Sequence, residues 1–97
     1  MADFTETIKL RPSDINAYAN RGEARYHLAH LRGAIADFSM VIQLDPEAAN
    51  AWYNRGVAQS DLMNYQEAME DLIVAKKLDH PGAPKAIAEL KKLGLNK

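Results

Sequence analysis

From residue 14 onward, apolar side chains recur at the spacing of helical turns. Ala17, Tyr18, Ala24 and Leu28 predict a helix over about residues 14–28, with Ser13 or Asp14 as its cap. Ile35, Phe38, Val41, Ile42 and Leu44 predict a second, roughly from Gly33 to Gln43, after a poorly marked turn near Ala29 to Arg32. Asp45-Pro46-Glu47 then reads as a start signal. It offers a cap, a proline at the first helical position and an acid in the positive first turn, and it predicts a helix over about residues 47–62. Asn64 with Glu67 resembles a capping box and opens a fourth helix to about Leu78. The run His80-Pro81-Gly82-Ala83-Pro84 is a break. Pro84 suits the first turn of a last helix, Lys85 to Leu93, with Ala86, Ile87, Leu90 and Leu93 on one side. Lys91 and Lys92 complement the dipole at its end, and Gly94 is its stop.

The helices repeat. Gly22 and Gly56 are 34 residues apart, and so are Ala34 and Ala68, Asp37 and Asp71, Leu44 and Leu78, Asp45 and Asp79. The start of the chain is a cut copy: Ala2-Asp3-Phe4 with Ile8, Leu10 and Pro12 mirrors Ala36-Asp37-Phe38 with Ile42, Leu44 and Pro46. The second copy carries Trp52-x2-Arg55-Gly56, Tyr65-x2-Ala68 and Leu72. The first carries Tyr18-x2-Arg21-Gly22, Leu31-x2-Ala34, Phe38 and Pro46. A helix pair at this period, with these small, aromatic and proline positions, resembles the tetratricopeptide repeat family. The resemblance implies an all-α fold, an α-solenoid of antiparallel helix pairs wound as a right-handed superhelix. It implies one domain over residues 1–97: a half-repeat (1–12, second helix only), repeats at 15–48 and 49–82, and a C-terminal capping helix (83–97). Arg21 and Arg55 depart from the family's usual leucine, Arg25 and Gln59 from its tyrosine, and His80 from its proline, with Pro81 one place late. The small residues should let helix axes approach closely, Gly22 facing Ala34 and Gly56 facing Ala68. Tyr18 and Trp52 are expected in the core.

Composition narrows the function. Hydrophobic residues make up 47% and charged residues 26% of the chain, which is ordinary for a globular domain. A net charge of −1 supplies no field to attract nucleic acid or an anionic membrane, so neither is expected as a partner. Without cysteine there is no disulfide, thiolate nucleophile or cysteine zinc site. Met1-Ala2-Asp3-Phe4 lacks the regions of a signal peptide, and a cytoplasmic protein is expected. Catalysis, cofactor and metal are not expected. Glu23, His27 and His30 lack the order of a metalloprotease helix, and Asp37 and Ser39 fall on different sides of theirs.

The resemblance places partner binding in a concave groove lined by the first helix of each pair. Its side chains would be Asn16, Ala19, Asn20, Glu23, Tyr26 and His27 from the first copy. From the second they would be Asn50, Tyr53, Asn54, Val57, Ser60 and Asp61. Asn20 and Asn54 are equivalent, and their amides can hold a peptide backbone without demanding a particular side chain. Tyr26 and Tyr53 add flat apolar area with a polar tip. Family members that clamp the acidic tails of heat-shock chaperones use lysine, arginine and asparagine at fixed groove positions. Asn54 matches one of these, but Ala19, Glu23, Pro84 and Ala88 stand where an amide or a cation is required. The groove is therefore expected to take a neutral or mildly basic peptide. The alternative is a homo-oligomerising structural module. Phe4 and Ile8 share a face that an intact repeat would cover with a preceding helix, and a second chain could cover it in a homodimer.

Overall fold

The computed structural model describes Ile8 and residues 14–93. Among these residues lie five long helices: α1 (Ile15–His27), α2 (Leu31–Leu44), α3 (Ala49–Asp61), α4 (Tyr65–Lys77) and α5 (Ala83–Lys92). The helix expected over residues 2–10, with Phe4, and the stop at Gly94 lie outside the described residues.

Each helix begins where a local feature allows it, and not always the one expected. Asp14 caps α1, its Oδ1 accepting from the Ala17 amide at 3.1 Å. Asn64 holds the N-cap position of α4 but makes no cap hydrogen bond; its Nδ2 donates instead to Gln59 Oε1 at 2.9 Å. The capping box does not form. Asp45-Pro46-Glu47 is a turn before the helix rather than its first residues: Asp45 Oδ1 accepts from the Glu47 amide, the Asp45 carbonyl from the Ala48 amide, and α3 starts at Ala49. Pro84 sits in the first turn of α5, where its missing N–H costs nothing.

Three of the four inter-helix turns share one device. Ala29, Met63 and Asp79 have φ of 61°, 65° and 66°. In each case the next amide reaches five residues back: His30 to Arg25, Asn64 to Gln59, His80 to Ala75. These are Schellman closures built without glycine, which is why the first turn carries no composition signal. Leu28, the last of the apolar positions that predict this helix, is the α1 C-cap and is 66% exposed.

Successive helices pack against one another, and α1 touches α3 as α3 touches α5, while α2 and α4 do not meet. The stack therefore curves with α1, α3 and α5 on its inside. It measures 45 × 25 × 18 Å. Close approach within each pair rests on glycine. A Cβ on Gly56 would lie 2.9 Å from Leu72 Cγ and 3.2 Å from the Ala68 carbonyl. On Gly22 it would lie 2.7 Å from the Phe38 ring and 3.2 Å from Asp37 Cβ. Two apolar clusters fill the stack: Tyr18, Val41 and Ala51 in its first half, and Ala68, Leu72, Ile87 and Leu90 in its second. Trp52 is only half-buried; its Nε1 donates to the Pro46 carbonyl at 2.8 Å, tying α3 to the turn before it.

Candidate functional site

The inside of the curve is indented. One cavity of about 300 Å³ lies between α1 and α3. Its walls are Glu23, Tyr26 and His27 on one helix and Tyr53, Asn54 and Val57 on the other, over buried Phe38. The family resemblance implied that these six wall residues share one surface, and the fold brings them together. A second cavity, of about 580 Å³, continues from Glu23 and Asn54 toward the starts of the same helices, past Ala19 and Asn50, to the α4–α5 turn at His80. Asn16 and Asn20 are exposed and line neither cavity. The asparagine ladder is therefore uneven, with Asn54 half-buried at the junction and Asn20 out in solvent.

Two side chains in this surface are held by partners of their own. The Tyr26 hydroxyl donates to Asp61 Oδ2 at 2.7 Å, bridging α1 to α3. That hydrogen bond, then burial, pushes the Tyr26 pKa up to about 12. His27 meets the Tyr26 ring edge-on at 5.8 Å between centroids. Tyr53 stacks on His80, with centroids 4.1 Å apart and planes 8° from parallel, and it packs against the Ala68–Leu90 cluster. His80 Nδ1 in turn accepts from the Gly82 amide at 3.0 Å. A Cβ on Gly82 would lie 3.0 Å from the Tyr53 ring, so glycine there admits the tyrosine. Tyr53 is thus partly a structural residue, which its place on an open helix face did not reveal. Among the described residues no three histidine, aspartate, glutamate or cysteine side chains gather to hold a metal, and Glu23, His27 and His30 do not converge. No helix among them is long and apolar enough to cross a membrane. Ile8 is half-buried against the Tyr18–Val41–Ala51 cluster, and Phe4 lies outside the described residues.

No protein-family model matches the chain, and no curated protein does. Solved structures do. The TPR (tetratricopeptide repeat) domain of Arabidopsis OM64 is 31% identical, with a TM-score of 0.87 over 92% of this chain and 75% of that one. The TPR2B domain of yeast Sti1, solved as a complex with pHsp70, is 33% identical, with a TM-score of 0.77 over 90% of this chain and 73% of that one. The chain belongs to the tetratricopeptide repeat family. The first TPR of Spaghetti (RPAP3), bound to the HSP90 peptide SRMEEVD, shares the fold at 21% identity, with a TM-score of 0.88 over 93% of this chain and 73% of that one.

Within this TPR domain the departures from the usual leucine acquire a reason. Arg21 donates from Nε and Nη2 to the two oxygens of Asp37, at 2.9 and 2.6 Å. Arg55 does the same to Asp71, at 2.9 and 2.7 Å. Both carboxylates are nearly inaccessible, and each sits in a two-pronged grip that satisfies both oxygens. The bond to Asp37 raises the Arg21 pKa above its ordinary value. Arg25 adds a third contact to Asp37 at 3.3 Å, and Arg55 Nη1 reaches Ser39 on the preceding unit at 3.1 Å. The two grips tie the first helix of each pair to the second, α1 to α2 and α3 to α4. Their signal was available: arginine and aspartate, 16 apart, recur together at the period of the repeat.

Proposed function

We infer that this TPR domain is a protein-interaction module that binds a peptide segment in the groove formed by α1, α3 and α5, without chemistry of its own. The observation that carries this reading is the α1–α3 cavity, where Tyr26, Tyr53 and Val57 supply apolar area beside the half-buried amide of Asn54. Support comes from the complex of the similar Sti1 domain with pHsp70. The groove differs from a receptor for acidic tails. Glu23 and Asp61 face into it, and Ala19 stands on its wall where a cation would be needed, so a neutral or mildly basic peptide is the fitting ligand.

The test is a nitrogen–proton correlation titration of the labelled protein with a mixed-sequence heptapeptide library, followed by affinity measurement on the binders. Shifts should cluster on Glu23, Tyr26, Asn54 and Val57. Asn54→Ala should weaken binding by about tenfold, the scale of one buried hydrogen-bond pair lost, with the melting temperature held. Shifts confined to the outer helices α2 and α4 would refute the reading.

A further inference from the structure

A third cavity, of about 450 Å³, lies further along the same inner face, between α3 and α5. Its floor is apolar and firm: Leu72 and Leu90 are 1% and 3% exposed and belong to the second core cluster. Val57 and Ala86 stand on its walls, and Leu93, 60% exposed, lies at its edge with apolar surface still open to water. The rim is charged. Asp61 comes from the last turn of α3, and Lys85 and Glu89 come from α5, one helical turn apart. Among the described residues Glu89 has no ion pair, and Asp61 gives one oxygen to Tyr26 and keeps the other.

Position decides what these features do together. Tyr53 and Val57 line this cavity and the α1–α3 cavity alike, so an extended segment lying in one continues into the other. The carboxylates along that path are Glu23, Asp61 and Glu89, against one lysine, Lys85. We propose that the α3–α5 cavity is a subsite for a large apolar peptide side chain, flanked in the peptide by arginine or lysine that pairs with Asp61 and Glu89. This makes α5 part of the binding surface as well as the seal of the last repeat. A side chain of leucine or phenylalanine size would rest on Leu72 and Leu90 and cover Leu93. A guanidinium beside it would meet two carboxylates at the edge of an apolar floor, where water screens the charge less than at an open surface. An acidic flank would meet the same carboxylates and be repelled.

The proposal rests on the groove being a peptide site, and the experiment separates the two. Heptapeptides with a central leucine or phenylalanine, flanked by arginine, serine or glutamate, are titrated by fluorescence anisotropy against the full chain at low and high salt. Arginine-flanked peptides should bind about tenfold or more tighter than glutamate-flanked ones, the scale of a charge-assisted hydrogen bond, and this gap should shrink with salt. Glu89→Lys, a change at an exposed position, should erase or reverse the order of the arginine- and glutamate-flanked peptides. Ala86→Phe, which fills the cavity, should weaken every peptide of the set. Equal affinity for the three flanks, or indifference to Glu89→Lys, overturns the subsite while peptide binding in the α1–α3 cavity stands. Failure of every peptide to bind overturns both.

Discussion

Tyr26 is where a single residue reports on the groove. Its hydroxyl spans from α1 to α3 to reach Asp61, and its pKa stands at about 12 against an ordinary 10.0. The folded chain therefore holds this proton more tightly than the unfolded chain does. The stability contributed by the bond is complete below about pH 10 and is lost as the pH rises toward 12. A phenol titration by carbon NMR should show Tyr26 titrating above the ordinary tyrosine value in the folded protein, and Asp61→Asn should bring it back toward that value. A Tyr26 that titrates at the ordinary 10.0 would mean that the bridge is absent in solution. A second residue-scale prediction concerns the turns. Met63 is held at φ 65° with its side chain 72% exposed, so Met63→Gly removes backbone strain and little packing. Chemical denaturation should show a gain of about 1 kcal/mol, the lower end of the left-handed penalty for a side-chain-bearing residue. A loss would mean that the Met63 side chain packs. Neither feature was legible in the sequence. Tyr26 and Asp61 belong to different repeats and carry no spacing of their own, and the position that glycine usually marks is filled by alanine, methionine and aspartate.

At the scale of the helix pair, the arginine–aspartate grips decide how each pair is held. Burying such a pair is close to neutral against an apolar replacement, but removing one partner leaves the other uncompensated. Asp71→Ala should therefore cost about 3 kcal/mol or more by urea denaturation. Changing Arg55 and Asp71 together to leucine should recover most of that loss. An Asp71→Ala variant as stable as the parent would show that the pair is wet and weak. Arg55 also reaches Ser39, so the double change should loosen the joint between units more than the pair itself. This is also the scale at which sequence was most informative. All five helices were foreseen, because a 34-residue period in small and apolar positions reflects how tightly two helices can pack. The start of α3 slipped by two residues because Asp45 closed a turn before it, while Asn64 kept its place at the start of α4 but gave its side chain to Gln59. The grips were missed because arginine at a leucine position looks like a departure until the aspartate one helix later is seen to face it.

Across the whole molecule, each core cluster belongs to one end of the stack. Tyr18, Val41 and Ala51 share no residue with Ala68, Leu72, Ile87 and Leu90, and the five described helices meet only their neighbours and, on the inside of the curve, their next-but-one neighbours. Such a stack resists unfolding by the sum of its parts and the joints between them. Damage at one end should then fade along it. Leu90→Ala removes a side chain that is 3% exposed from the terminal cluster, at a cost of about 2–5 kcal/mol there. Amide exchange should quicken most in α5, then in α4, where Leu72 loses its cover, and least in α1 and α2. The same gradient bears on binding. The α1–α3 cavity should keep its shape in this variant while the α3–α5 cavity, floored by Leu72 and Leu90, should lose its own. Exchange that rises equally in all five helices would show that the domain unfolds as one cooperative block. In that case the two cavities could not be separated by mutation at one end, and only filling changes within each could assign a peptide to it.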